Sequence, residues 1–84
     1  MNILAIDPGN IESAYVIIDE DYKPLEFDKV ENHKLLEHMK IPVMYDKVAI
    51  EMVAHYGTGM AAGKEVFDTC VWIGRFFQVS DEPV

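Results

Sequence analysis

The chain has a single cysteine, Cys70, so no internal disulfide is open to it and its stability must come from packing or from partners. Basic residues are scarce as well: seven Lys and Arg stand against fifteen Asp and Glu, a formal net charge of −8. Phosphate contacts are made mainly by Lys and Arg, so this balance opposes a polyanionic partner for the chain by itself. The acids concentrate in residues 1–42, which carry nine of them and four bases, and no basic arm or stripe exists. No apolar run approaches the roughly 18 residues of a membrane span. The N-terminus lacks the basic, apolar and cleavage-site pattern of a signal peptide, which gives the expectation of a cytoplasmic chain with no membrane partner. What is present is ordinary: 84 residues, half of them hydrophobic and 26% charged, which excludes a large enzyme and fits one globular domain.

From Asn2 to Ile6 the chain is apolar on both alternating faces, as a strand buried within a sheet requires. Asp7-Pro8-Gly9-Asn10 stops it with turn chemistry. A second β-rich run, Ala14 to Ile18, ends in Asp19-Glu20-Asp21, and a third, Leu25 to Val30, alternates apolar with charged residues. Together these predict an antiparallel meander whose charged last strand is the exposed edge. Asn32 is placed to cap a short helix carrying Leu35, Leu36 and Met39, which Ile41-Pro42 ends. Lys47 to Val53 is a further buried-type strand, and a right-handed crossover through the helix lays it parallel to an earlier one. After Gly57-Thr58-Gly59, the spacing predicts a helix over 60–77 with Val66, Cys70, Ile73 and Phe77 on its buried face, Cys70 being an inert buried thiol.

Two acids fall inside these apolar runs. Asp7 ends the first strand and Glu51 lies near the end of the fourth. Neighbouring parallel strands are about 4.8 Å apart, so carboxylates at their carboxyl ends repel unless one is protonated or a cation joins them. A hard divalent cation with oxygen ligands, Mg²⁺ or Mn²⁺, suits such a pair, and Pro8-Gly9 leaves little side-chain bulk to keep a phosphate away. The plainer alternative is that Asp7 only closes a turn while Glu51 points into solvent.

Ile3-Leu4-Ala5-Ile6-Asp7-Pro8-Gly9, then Ser13 to Asp19, then Val48-Ala49-Ile50-Glu51, resembles the RuvC family of Holliday-junction resolvases in the ribonuclease H-like superfamily. The segment Lys64 to Phe76, with its Glu-Val-Phe and Trp-Ile-Gly-Arg, looks more narrowly like the phage and prophage branch. The resemblance implies an α/β fold: a mixed sheet with antiparallel strands one to three, a parallel fourth strand beside the first, and two helices. It also implies that Asp7 and Glu51 are catalytic metal ligands in two-metal hydrolysis of a phosphodiester in branched DNA. Such resolvases continue through a fifth strand and draw further acidic ligands from a C-terminal segment, so the sequence is expected to be an N-terminal part, inactive alone. Asp81 and Glu82 follow the helix without an intervening strand and are not assigned those roles.

Tyr56, just after the fourth strand, is a candidate for stacking on an unpaired base, and Lys64 and Arg75 are candidates for phosphate contact; the plainer reading of all three is solvated surface. His33 and His38 are five apart and miss the spacing that sets two histidines on one helical face for zinc. The resemblance also puts the long helix near a dimer interface, with Trp72 and Phe76 as its candidates or as simple core. Self-association is expected, through the uncovered edge Val48-Ala49-Ile50, the Trp72 side of the helix, or an uncovered sheet face exposing some of Ile3, Ala5, Tyr15 and Ile17. Two competing readings are an actin-like phosphotransferase, whose first strand also ends in Asp-x-Gly, and a non-catalytic oligomerising module.

Overall fold

The computed structural model describes residues 1–41, 44–52 and 63–80. Its elements are β1 (Ile3–Asp7), β2 (Glu12–Ile18), β3 (Pro24–Glu31), α1 (Asn32–Met39), β4 (Lys47–Ile50) and α2 (Lys64–Val79). The four strands form one mixed sheet in the order β3-β2-β1-β4, antiparallel except for the parallel pair β1 and β4. This is the α/β layout expected, with the charged β3 at one edge and the apolar β4 at the other. No helix among the described residues is long and apolar enough to cross a membrane.

The parallel pair is pinned where it begins. The Asn2 amide donates to the Asp46 carboxylate at 3.0 Å, the Asn2 side chain donates to the Met44 carbonyl at 3.0 Å, and the Asp46 amide returns a bond to the Asn2 carbonyl at 2.9 Å. These bonds set Ile3 opposite Lys47 and Ile6 opposite Ile50. Between β2 and β3, Asp19 accepts from the amides of Asp21 and Lys23, an Asx-type turn that leaves Tyr22 at φ 62°.

Both helices pack on one face of the sheet. Leu4, Ile6, Ile17 and Val48 point to that face and close on Leu35 and Met39 of α1 and Phe76 of α2. The opposite face carries Ile3 and Ala5 of β1 in register with Ile18 and Val16 of β2, all half-buried. Tyr15 and Ile17 therefore do not belong to the uncovered face, contrary to expectation: antiparallel pairing of Leu4 with Ile17 and Ile6 with Tyr15 turns both toward the helices.

The buried face of α2 also differs from the expected one. Ile73 and Phe76 are buried and Trp72 and Val79 pack against the core, whereas Phe67, Cys70, Val71 and Phe77 are exposed. Apolar residues lie nearly all round this helix, so periodicity does not select a face. Contact does: Trp72 meets His33 of α1 edge-on at 4.8 Å and Phe76 at 5.8 Å, which turns the bulkiest pair inward. Trp72 and Phe76 are thus core rather than a free interface, and Cys70 is not a buried thiol.

The two phenylalanines separate these faces experimentally. Phe76→Ala is expected to cost about 3–5 kcal/mol, as for a large buried aromatic, while Phe77→Ala stays within about 0.5 kcal/mol. Urea denaturation of both variants checks this, and equal losses would contradict the observed helix orientation.

Candidate metal centre

Asp7 is the last residue of β1, and its backbone pairs with Ala14 of β2. On the other side the Glu51 amide donates to the Ile6 carbonyl at 3.0 Å, carrying the parallel ladder one residue past β4. The register that joins Ile6 to Ile50 then sets Asp7 beside Glu51. Alternation along each strand points both side chains to the uncovered face, away from Leu4, Ile6 and Val48. There they border an open concavity of about 540 Å³ whose lining includes Ala5, Ala14 and Ala49. Small side chains at those positions give the acids their access to solvent.

The two carboxyls interact directly. A side-chain hydrogen bond with Asp7, followed by repulsion from its charge and a smaller effect of burial, raises the pKa of Glu51 above its ordinary value of 4.5. One proton held between two acids is the expected resolution when like charges share a site without a cation. No group of three or more His, Cys, Asp or Glu side chains suited to a metal occurs among the described residues. The pair is thus two carboxyl groups side by side on one open face, without a third such side chain grouped with them among the described residues.

The loop after Asp7 is fixed by a closed ring of hydrogen bonds that the sequence did not disclose. The Gly9 amide donates to the Ser13 hydroxyl at 3.1 Å, that hydroxyl donates to Asn32 Oδ1 at 2.5 Å, and Asn32 Nδ2 donates to the Gly9 carbonyl at 2.9 Å. Ser13 is 1% and Asn32 0% exposed. Asn32 is the first residue of α1, the N-cap is Glu31, and no side-chain capping bond forms. The expected capping role is thus replaced by a tertiary one, because Gly9 and Ser13 offer buried partners that only the folded sheet brings near. Glycine is required at position 9: a Cβ there would lie 2.2 Å from the Glu12 carbonyl oxygen.

The remaining candidates are not gathered at the pair. Lys64 is exposed and bonds Asp68 at 2.6 Å one helical turn on, which raises its pKa. The Arg75 guanidinium lies over Trp72 at 4.8 Å. Both sit on α2, which packs on α1 and reaches β4. Tyr56 falls outside the described residues, as does His55.

A scan against protein-family models finds no match, and comparison with curated proteins finds no relative.

The raised pKa of Glu51 gives a signed pH dependence. Because the folded state holds the Glu51 proton more tightly than the unfolded chain, the metal-free protein gains stability as pH falls through the raised pKa toward 4.5 and loses it as pH rises. Asp7→Asn removes the repulsion. It should therefore raise the melting temperature at pH 7 and have a vanishing effect near pH 4, read by thermal denaturation without divalent ions; a gain independent of pH would exclude the carboxyl pair as its source.

Proposed function

We propose that this chain carries the acidic pair of a metal-dependent nuclease with a ribonuclease H-like core, related to the RuvC resolvases, acting on phosphodiesters in branched DNA. The observation that supports it is the direct contact of Asp7 and Glu51 at the ends of neighbouring parallel strands. Two carboxylates, with no softer donor grouped with them among the described residues, suit Mg²⁺ or Mn²⁺. Such an ion, when bound, supplies charge neutralisation and an acidified water. The protein's own part is to hold two carboxylates on one open face over the small side chains of Ala5, Ala14 and Ala49.

Only one ion is provided for by this pair. With Lys64 bonded to Asp68 and Arg75 on Trp72, the chain offers no continuous track for a phosphate backbone, so tight DNA binding needs charge from elsewhere. The actin-like alternative is weakened by the ring, since the Gly9 amide that would face a nucleotide phosphate already donates to Ser13. The non-catalytic module leaves the paired acids without an explanation.

Self-association belongs to the same reading. Phe67, Cys70, Gly74 and Phe77 are spaced symmetrically about residue 72 on the outer face of α2. A second copy laid antiparallel would set Phe67 of one chain against Phe77 of the other. Sedimentation should show a concentration-dependent dimer that Phe67→Asp abolishes; a monomer at high micromolar concentration excludes this contact.

The site reading is tested by calorimetric titration with Mn²⁺. Binding in the high-micromolar to millimolar range is expected, reduced at least about tenfold by Asp7→Asn or Glu51→Gln and unchanged by Glu37→Gln, an exposed acid on α1, in keeping with loss of one of two charged ligands. The 84-residue chain alone is expected not to cut a labelled four-way junction in Mg²⁺. Absence of Mn²⁺ binding by the wild-type protein would remove the basis of the nuclease reading.

A further inference from the structure

We propose that Ser13 and Asn32 are positioning residues for the acidic pair: the ring they form with Gly9 holds the turn after β1 so that the Asp7 carboxylate stays beside Glu51. This rests on the metal-site reading above and adds two residues to it.

Pairing with Ala14 of β2 holds the backbone of Asp7 on one side, but little restrains the turn that follows this residue. Asp7 is the exposed last residue of its strand, and β4 ends at Ile50, opposite Ile6. The next residue, Pro8, has no amide to donate to either neighbouring strand. Restraint of the turn must therefore begin at Gly9, and there both polar atoms of the backbone are taken, the amide by Ser13 from β2 and the carbonyl by Asn32 from α1. The backbone of Asn32 also reaches the turn, donating to the Ile11 carbonyl at 2.9 Å. One asparagine thus grips the turn at two places.

Burial points the same way. Ser13 and Asn32 are the only buried polar side chains among the described residues. A buried hydroxyl and a buried amide are unfavourable unless each finds partners, and an apolar pair of similar size would pack the junction of β1, β2 and α1 without that constraint. What the polar ring adds is geometry: three directed bonds fix the Gly9 peptide two residues from Asp7. The nearby Glu12 carbonyl excludes any side chain at Gly9, so the turn cannot relax by substitution there. Groups that orient a ligand from behind characteristically change metal affinity by about 10–100-fold when removed.

The test separates positioning from plain stability. Mn²⁺ affinity is measured by calorimetry, well below each melting transition, for wild type, Ser13→Ala, Ser13→Thr, Asn32→Ala and Leu35→Ala. Leu35 is buried in α1 and lies outside the ring, so its truncation lowers stability without touching the turn. Ser13→Ala and Asn32→Ala are expected to weaken Mn²⁺ binding about 10–100-fold. Ser13→Thr, which keeps the hydroxyl, should restore it, and Leu35→Ala should change it less than about twofold. Hydrogen exchange at the Gly9 amide, measured without metal, should accelerate in Ser13→Ala and not in Leu35→Ala. If Asn32→Ala does not fold, Ser13→Ala, which removes one oxygen atom, carries the comparison. Wild-type affinity in folded Ser13→Ala overturns the positioning role while leaving the metal site standing. A wild-type protein that binds no Mn²⁺ overturns both.

Discussion

Everything that distinguishes this sheet follows from one pairing, the parallel alignment of β1 with β4. Hydrogen bonds between Asn2, Met44 and Asp46 start the two strands together, and the shared register then runs without interruption to Ile6 and Ile50. Neighbouring strands hold their residues a fixed distance apart, so two acids at matching positions cannot avoid each other. Asp7 and Glu51 are consequently a pair by construction of the sheet. The raised pKa of Glu51, caused by its hydrogen bond with Asp7 and the repulsion between them, is the electrostatic result.

The two faces of the sheet divide the labour. The face bearing Leu4, Ile6, Ile17 and Val48 is closed by α1 and α2 and supplies the hydrophobic stabilisation. The face bearing Ala5, Val16 and Ala49 is left open and presents the acids. Strand alternation makes the arrangement possible, since Ile6 can be buried while Asp7, its immediate neighbour, reaches solvent. A polar ring at the junction of β1, β2 and α1 brings directed hydrogen bonds into the otherwise apolar packing.

The strands, the antiparallel meander and the acids at two strand ends were legible in the residues for one physical reason, whereas the place of β4 beside β1 was implied by the family resemblance. Runs such as Ile3 to Ile6 and Lys47 to Ile50 are short, apolar on both faces and bounded by turn or charged residues, a pattern few other elements satisfy. An acid at the end of such a run stands out because desolvation makes it costly there. Less was legible wherever several solutions bury the same area. On α2, Val66, Cys70 and Phe77 share a face as credible as the one bearing Trp72 and Phe76, and the choice was made by contact with His33 and the sheet.

Asn32 shows the limit most clearly. An asparagine at the start of a helix reads as a cap, because local chain geometry offers it the backbone amides of its own first turn. In the folded protein it bonds Gly9 and Ser13 instead, residues distant in sequence that no local rule connects. The sequence by itself determined the elements, their order, and which two acids lie at strand ends, since these depend on short-range pattern and on the cost of burying charge. Only the tertiary structure decided which helix face is buried, which sheet face stays open and what secures the turn after Asp7, because those depend on directional contacts that form when distant segments meet.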